Sequence, residues 1–284
     1  MLKHTFIHVP RVGEVTERRL WHSGVKTWDD FSSNNELSLS PGLEHRIRSH
    51  VSSSQRALSR GDAAFFGRWL PSSELWRMYL DFSHSCIFLD IETTGISHGW
   101  NDITVIGAYD GRETRVFVRG KNLLDFPGYI KRHAKRYAML VTYNGRQFDV
   151  PFLKAKFPDL ELPTAHIDLR FVTNRLGLTG GLKGVERRLG LSREGSLQEV
   201  DGFMAVKLWH EYRGGDLAAL DTLIRYNLED VVGLKAIVER AYNMAIGKLP
   251  IPVQPLKVGP RPRLNLPYDP ELISWLKGRY LSYR

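Results

Sequence analysis

Over residues 86–95 the chain reads Cys-Ile-Phe-Leu-Asp-Ile-Glu-Thr-Thr-Gly, an apolar run that contains two carboxylates. The apolar residues predict a buried β-strand, in which residues i and i+2 point to the same face. Asp90 and Glu92 therefore project side by side from a rigid support. Two carboxylates so placed raise each other's proton affinity unless a cation lies between them. The stretch predicts a divalent metal site, although acid-x-acid alone is also typical of a solvated strand end.

Two later segments combine an acid with aromatic and polar residues. Residues 143–153 read Tyr-Asn-Gly-Arg-Gln-Phe-Asp-Val-Pro-Phe-Leu, and residues 226–230 read Tyr-Asn-Leu-Glu-Asp. Asp149 follows an apolar strand and a turn, so it is predicted to begin a helix; alone it is equally typical of an N-cap. Tyr226 and Asp230 lie four residues apart on a predicted helix and therefore share a face.

In this order the three segments resemble exonuclease motifs I, II and III of the DEDD superfamily. That superfamily comprises proofreading domains and related 3′→5′ exonucleases with an RNase H-like fold, and the resemblance spans residues 85–240. One DEDD branch has histidine five residues before the last aspartate, and the other has tyrosine four residues before it. Arg225 and Tyr226 occupy these positions here, so the chain resembles the tyrosine (DEDDy) branch. It is also similar to the YprB-like branch of RNase H-like nucleases.

The resemblance implies a two-metal hydrolase site. The implied catalytic residues are Asp90, Glu92, Asp149, Tyr226 and Asp230, of which the four acids are the metal ligands. Asp90 would bridge both ions, and Glu92 would bind the ion that activates water. Two Mg²⁺ ions are expected because that ion prefers oxygen ligands, and Mn²⁺ can substitute. An unperturbed phenol has a pKa of about 10, so Tyr226 is expected to orient the attacking water instead of acting as a bulk base.

The resemblance also implies contacts with the terminal nucleotide. The implied substrate-binding residues are Thr93, Thr94, Gly95, Asn144 and Phe148. Phe148 is the weakest of these, because its position favours packing beneath the site over contact with a base. The alternative for Asn144 is support of the turn in which it lies.

Several charged and polar residues that lie outside the three motifs can also be interpreted. His166 and Asp168 share a predicted strand face, so they either line the cleft or serve the fold. Lys183 and Glu186 lie three apart on a predicted helix, which favours a surface ion pair. Glu229 points away from Asp230 on its helix and is expected to be solvated.

Composition limits the classes of protein that fit. The formal net charge of +9 and the pI near 9.6 suit a polyanionic partner such as nucleic acid. The single cysteine, Cys86, excludes an internal disulfide and a cysteine-based zinc site. No apolar stretch approaches membrane-spanning length, and no signal peptide is evident, so we expect a cytoplasmic protein with no membrane partner.

The sequence divides into three predicted regions: a helical N-terminal region over 1–84, a region over 85–245 that the resemblance identifies as an RNase H-like exonuclease domain, and a proline-rich tail with a short terminal helix over 246–284. Within the middle region the predicted strands are Cys86–Glu92, Ile103–Tyr109, Arg115–Arg119, Ala138–Thr142 and Ala165–Asp168. Three strands in hairpin order followed by alternating helices and strands predict an α/β fold with a mixed five-stranded sheet flanked by helices.

The predicted helices lie at Glu14–Trp21, Trp28–Phe31, Gly42–Arg60, Asp62–Leu70, Pro71–Leu80, Leu123–Arg136, Asp149–Lys156, Gly181–Leu189, Gly202–Tyr212, Leu217–Tyr242 and Asp269–Tyr280. A polar segment over 32–41 predicts a loop. The tryptophans of the N-terminal region (Trp21, Trp28, Trp69 and Trp76) are interpreted as core and docking residues, in preference to stacking platforms for bases.

Together these features predict a metal-dependent 3′→5′ exonuclease that hydrolyses nucleic acid from its 3′ end to nucleoside monophosphates. Single-stranded DNA is the favoured substrate, although the sequence does not distinguish DNA from RNA. Two alternatives stay open: a structure-specific endonuclease or RNase on the same fold, and a nucleic-acid-binding module that does not cleave.

Overall fold

A mixed sheet forms the centre of the computed structural model, which describes residues 1–33, 39–191, 193 and 195–281. Its strands are β1 Cys86–Thr93, β2 Ile103–Tyr109, β3 Thr114–Val118, β4 Met139–Thr142 and β5 Ala165–Asp168. Their order is β3-β2-β1-β4-β5. β1 pairs antiparallel with β2 and parallel with β4, while β2–β3 is antiparallel and β4–β5 is parallel. The predicted α/β fold with a five-stranded mixed sheet is confirmed.

The α-helices among the described residues are α1 Glu14–His22, α2 Trp28–Ser33, α3 Pro41–Ser59, α4 Ala63–Trp69, α5 Tyr79–Phe82, α6 Phe126–Arg132, α7 Asp149–Lys156, α8 Leu169–Arg175, α9 Gly181–Arg188, α10 Gly202–Arg213, α11 Leu217–Ile246 and α12 Pro270–Leu281. Helices α1 to α5 make up the predicted helical N-terminal region.

The alternation of side chains along β1 decides which way the carboxylates point. Ile87 and Leu89 pack in one apolar cluster with Phe126 of α6 and Phe152 of α7. Phe88 belongs to a different cluster, which includes Val231 of α11. Because Asp90 and Glu92 share the parity of Phe88, they project toward the α11 face of the sheet.

The end of β1 extends beyond its partner strand. Pairing with β4 covers only Cys86–Phe88 of β1, so Asp90 and Glu92 lie past the end of β4. On the other side, the β2 register shifts between Glu92 and Thr93. Such bulges re-aim side chains and are common beside functional sites. The two carboxylates therefore lie on a strand that β2 supports on one flank and that has no strand partner on the other.

Three element predictions differ from the structure. Pro71–Leu80 forms a 3₁₀ helix over Ser72–Met78 followed by the short α5, not one α-helix. The helix predicted over Leu123–Arg136 is a 3₁₀ turn at Leu123–Asp125 and then α6, which ends at Arg132. Helix α8 was not predicted, because it follows β5 with no intervening loop and is capped by the last strand residue, Asp168. Part of the predicted 32–41 loop lies outside the described residues.

The N-terminal helices and the sheet share one apolar cluster. It runs from Phe6 and Trp28 to Val231 and Tyr242 of α11. Trp21, Trp28 and Trp76 are buried as expected, but the core interpretation of Trp69 is wrong, because it is 41% exposed and lies outside the apolar cluster.

The tail from residue 250 to 269 is extended and is held by side chains of α11. Asn243 donates to the Leu256 carbonyl oxygen at 2.9 Å and accepts from the Leu256 amide at 2.7 Å. The amide of Asp269 donates to Thr222 Oγ1 at 2.9 Å. α12 then buries Ile273 and Leu276, so the tail docks on the body as predicted. In the described part of the chain no helix is both long and apolar enough to cross a membrane.

Candidate active site

A cleft of about 630 Å³ opens where the end of β1, the start of α7 and the middle of α11 meet. Every residue predicted from the three motifs lines it: Asp90, Glu92, Thr93, Thr94, Gly95, Asn144, Phe148, Asp149, Tyr226 and Asp230. The structure therefore brings together segments that are more than 130 residues apart, as the Asp90–Asn227 separation of 137 positions illustrates. The roles of these residues remain predictions.

Three carboxylates form the tightest group in the cleft. Asp90, Glu92 and Asp230 each offer an oxygen, and these oxygens all lie within 4.8 Å of one another. Burial raises the pKa of both Asp90 and Glu92 well above their usual values, and the neighbouring Asp230 carboxylate raises them further. The three carboxylates thus destabilise one another, because their like charges lie close together where water is largely excluded.

Asp149 joins the cleft from the first turn of α7. Its Oδ1 accepts a hydrogen bond from the Ile91 amide at 3.2 Å. That amide is available because the pairing of β1 with β4 stops at Phe88. Burial raises the pKa of Asp149 to about 7, partly offset by its backbone hydrogen bonds. Because β4 ends early, Asp149 of the second motif can hydrogen-bond to the backbone of β1, the strand that carries the first motif.

Tyr226 lies beside these acids and is nearly buried, with 5% of its surface exposed. Two cations face its ring: Lys183 Nζ lies 4.8 Å and Arg193 Cζ 5.7 Å from the ring centroid. Burial, followed by the charge of Asp230, raises the pKa of the phenol well above its usual value. The phenol of Tyr226 therefore keeps its proton near neutral pH and can donate a hydrogen bond.

Asn227, next to Tyr226, is a site residue that the motif comparison missed. Its Nδ2 donates to Asp90 Oδ2 at 2.9 Å and to the Asp90 carbonyl oxygen at 3.3 Å. The side chain fits because Gly107 of β2 has no Cβ, which would lie 2.2 Å from Asn227 Oδ1. A glycine in a strand interior often marks such a close approach, so Gly107 was the available signal.

Lys183 and Glu186 do not form the surface ion pair that their spacing predicted. Lys183 lines the cleft, and burial lowers the pKa of its amine to about 8. Glu186 is buried and contacts Arg193 Nε at 2.7 Å. Arg193 in turn pairs with Asp230, a contact for which the sequence carried no signal.

Glu229 is also buried, contrary to the prediction that it is solvated. Its carboxylate pairs with Arg225 at 3.0 Å and with Arg261 of the tail at 2.8 Å. The prediction was wrong because the tail covers the face of α11 that carries Glu229.

His166 and Asp168 support the cleft without lining it. His166 Nε2 lies 2.8 Å from Thr142 Oγ1. Asp168 accepts from the amides of Asn144 at 2.7 Å and Arg146 at 3.0 Å. These bonds hold the turn in which Asn144 adopts a φ of 64°, a left-handed conformation that asparagine tolerates. The structural reading of this pair is the correct one.

The donor set fits a divalent metal ion. Asp90, Glu92 and Asp230 supply hard oxygen donors, which Mg²⁺ and Mn²⁺ prefer. A cation in their midst would also relieve the repulsion that raises the pKa of Asp90 and Glu92. Among the described residues Asp149 does not belong to this close group, although it lines the same cleft.

Comparison with known proteins places the chain in a family. It belongs to the RNase H superfamily, because the family model RNase_H_2, described as RNase_H superfamily, matches residues 87–242, more than half of its length. No protein of curated function matches the chain at a significant level.

Among solved structures, one similar chain is a family B DNA polymerase from the hyperthermophilic archaeon Pyrobaculum calidifontis. The identity is 17% and the TM-score 0.42, over 56% of this chain and 25% of the polymerase, so this chain spans about a quarter of that protein. Another, described as the apo form of the nuclease, has 18% identity and a TM-score of 0.41 over 63% of this chain and 79% of its own.

Proposed function

We propose that this protein is a metal-dependent nuclease, and specifically a 3′→5′ exonuclease of the DEDDy type. One observation carries the proposal: four carboxylates from three separate elements converge on one cleft, with Tyr226 beside them. Their like charges are left without enough cations nearby, an arrangement that costs stability and is typical of a metal-binding catalytic site.

Asp90, Glu92 and Asp230 would hold a divalent ion, and Asp149 would help to hold a second. Mg²⁺ is the proposed ion, with Mn²⁺ as a substitute. Bound divalent ions would acidify a water molecule and neutralise charge on the phosphodiester. Asn227 fixes the orientation of Asp90 through its hydrogen bond to Oδ2.

Tyr226 serves as a donor in this scheme. Because the pKa of its phenol is raised, the hydroxyl keeps its proton near neutral pH and can hold the attacking water in place. Lys183, on the same side of the cleft, is a cation whose lowered pKa of about 8 leaves it largely charged at neutral pH. It adds positive charge where a phosphate would enter.

The substrate we propose is the 3′ end of a nucleic acid, preferably single-stranded DNA. Thr93, Thr94, Gly95, Asn144 and Phe148 line the same cleft and would contact the terminal nucleotide. The net charge of +9 supports attraction to a polyanion. The proposed catalytic domain is residues 85–245, with the helical region 1–84 and the tail 246–284 packed on it.

The test uses 5′-labelled single- and double-stranded DNA and RNA, each with Mg²⁺, Mn²⁺ or a chelator. We expect a ladder of products that shortens one nucleotide at a time and that needs the metal, and Asp90→Asn should slow its formation by about a thousandfold. Discrete internal fragments would instead identify an endonuclease. Tight binding without metal-dependent turnover would identify a binding module and contradict the proposal.

A further inference from the structure

A series of buried ion pairs links the acidic cleft to the C-terminal tail. Asp230 Oδ1 pairs with Arg193. Arg193 contacts Glu186 Oε2 through Nε at 2.7 Å and Nη2 at 2.5 Å. The other oxygen, Glu186 Oε1, lies 3.3 Å from Arg261 Nη1, and Arg261 reaches Glu229 at 2.8 Å. The series alternates in sign, and Arg261 belongs to the extended tail.

These side chains are enclosed. The side chains of Arg193 and Glu186 are 2% and 3% exposed, and that of Arg261 is 11% exposed. An ion pair in such a place costs desolvation, and it persists only when the geometry is fixed by several partners. Arg193 meets this condition because it has an acidic partner on each side.

Helix α11 leaves space for the series. Gly233 lies in its interior, where glycine is less favourable than alanine. A Cβ at this position would lie 2.8 Å from Glu186 Oε1 and 3.3 Å from Arg261 Nη2. The glycine therefore lets the Glu186–Arg261 pair pack directly against the helix that carries Tyr226 and Asp230.

We propose that Arg193 is a positioning residue of the acidic site: it holds Asp230 Oδ1, and it is itself held by Glu186 and, through Glu186, by Arg261 of the tail. This inference rests on the proposed function of the cleft. Asp230 Oδ1 is buried and meets Arg193 as an ion pair without a hydrogen bond, so the charge of Arg193 holds this side of the carboxylate.

Arg193 differs from a mobile counter-ion, because other side chains hold it in place. Arg193 is bound on the Glu186 side by two nitrogen atoms, and it also lies against the ring of Tyr226. Neither partner belongs to the carboxylate group of Asp90, Glu92 and Asp230, so we expect both to stay in place when an ion binds. Arg193 therefore fixes Asp230 instead of competing with the ion for it.

The experiment measures Mn²⁺ affinity in the full chain without substrate, by the loss of the free Mn²⁺ electron paramagnetic resonance signal. Loss of a group that orients a metal ligand typically costs about ten- to hundredfold in affinity or activity. We expect Arg193→Gln to weaken Mn²⁺ binding and lower kcat by about this factor, with little change in KM because Arg193 does not touch substrate.

Two further variants separate positioning from charge and from folding. Arg193→Lys keeps the charge but lacks the fork of donors, so it should recover only part of the affinity. Arg187→Gln removes the same charge from an exposed position on α9 and should bind Mn²⁺ as the wild type does. The far-ultraviolet circular dichroism of Arg193→Lys shows whether the fold is kept.

The tail is tested by a second matched pair. Arg261→Gln removes one of the partners that hold Glu186 and should weaken Mn²⁺ binding severalfold, less than Arg193→Gln does. Arg263→Gln, at an exposed position two residues away, should have no effect. An equal effect of Arg261→Gln and Arg263→Gln would remove the tail from the proposal.

Failure of the two proposals looks different. If the wild type cleaves with Mn²⁺ but Arg193→Gln binds the ion equally well or more tightly, Arg193 does not position Asp230 and this inference is overturned. If the wild type neither binds Mn²⁺ nor cleaves, the proposed function itself fails.

Discussion

Two groups of buried charges in this molecule are built in opposite ways. In the N-terminal ion cluster, the buried Glu17, Glu74 and Arg77 are joined by Arg175 of α8, whose side chain is 40% exposed, so two acids meet two bases. Arg77 contacts Glu17 at 2.9 Å and Glu74 at 2.7 Å, and Arg175 contacts Glu74 at 2.6 Å. In the acidic cleft four carboxylates face Lys183 and Arg193 among the described residues, and Arg193 is shared with Glu186.

The difference teaches how structural and functional charges can be separated. In the N-terminal ion cluster Glu17 also accepts the amides of Phe6 at 2.7 Å and Ile7 at 2.9 Å, so its charge is satisfied internally. In the cleft, burial and mutual repulsion raise the pKa of Asp90 and Glu92. The first group stabilises the packing of the N-terminal region, whereas the second carries the excess of negative charge on which the proposed metal site rests.

The largest effect is expected where the cleft loses its central acid. Asp90→Asn should lower the nuclease rate by about a thousandfold, equivalent to about 4 kcal/mol of transition-state stabilisation. In a chelator its melting temperature should be equal to or above that of the wild type, because one repelling charge is gone. Nuclease assays with Mn²⁺ and thermal melts check both, and a rate within tenfold of the wild type would contradict the assignment.

Breaking the N-terminal ion cluster should instead cost stability. Arg77→Met leaves Glu17 and Glu74 buried without their main partner, which we expect to lower the free energy of unfolding by about 3 kcal/mol. Urea denaturation measures this. The control Arg18→Met, at an exposed position nearby, should change it by less than about 0.5 kcal/mol. Mn²⁺ affinity of the folded Arg77→Met protein should be unchanged; a large loss would make the two regions energetically coupled.

The pH dependence of stability should also distinguish the regions. The pKa of Asp149 is about 7 in the folded protein and 3.8 for the unperturbed group, so the folded state binds the extra proton between these values. Its stabilising contribution is lost as pH rises from about 4 to 7. In a chelator, Asp149→Asn should therefore be more stable than the wild type by up to about 4 kcal/mol at pH 8, and urea midpoints should converge near pH 4.

His8 of the N-terminal region should make stability depend on pH in the opposite direction. Burial lowers the pKa of its imidazole from 6.5 to about 3, so the unfolded chain takes up the proton first and stability falls as pH drops below 6.5. His8→Gln should reduce this loss of stability below pH 6.5. The idea of opposite signs is wrong if both variants shift the pH profile in the same direction.

The smallest effect concerns the orientation of Asp90. Gly107→Ala places a Cβ 2.2 Å from Asn227 Oδ1, so it should displace the amide and lower kcat by about tenfold. Asn227→Ala should give a similar loss. The double variant should be no worse than either single one, because both act through the same hydrogen bond. Additive losses would show that Gly107 acts by another route, and Gly42→Ala, where a Cβ meets open space, is the control.

Local patterns predicted much of the fold. The apolar run of β1 and the parity of Asp90 and Glu92 were correct because strand alternation is fixed by the pleat itself. Helix α7 begins at Asp149 as expected. Where local propensity is shared between related conformations, as at Ser72–Met78, sequence predicted an α-helix and the structure is 3₁₀.

The partners of buried charges were not predictable in the same way. Spacing on one helix paired Lys183 with Glu186, but Glu186 contacts Arg193 and Arg261, up to 75 positions away. The same applies to Glu229, which the tail covers. Helical spacing specifies which residues share a face, but it carries no information about what packs on that face.

By itself, the sequence determined which acids are candidates for a metal site and on which strand and helix faces they lie, because those faces follow from backbone geometry. Only the tertiary structure decided that Asp90, Glu92 and Asp230 come within 4.8 Å of one another. It also decided that Asn227 holds Asp90 and that Arg193 holds Asp230. Those contacts depend on how α11, β2 and the tail pack together, and packing is a property of the whole chain.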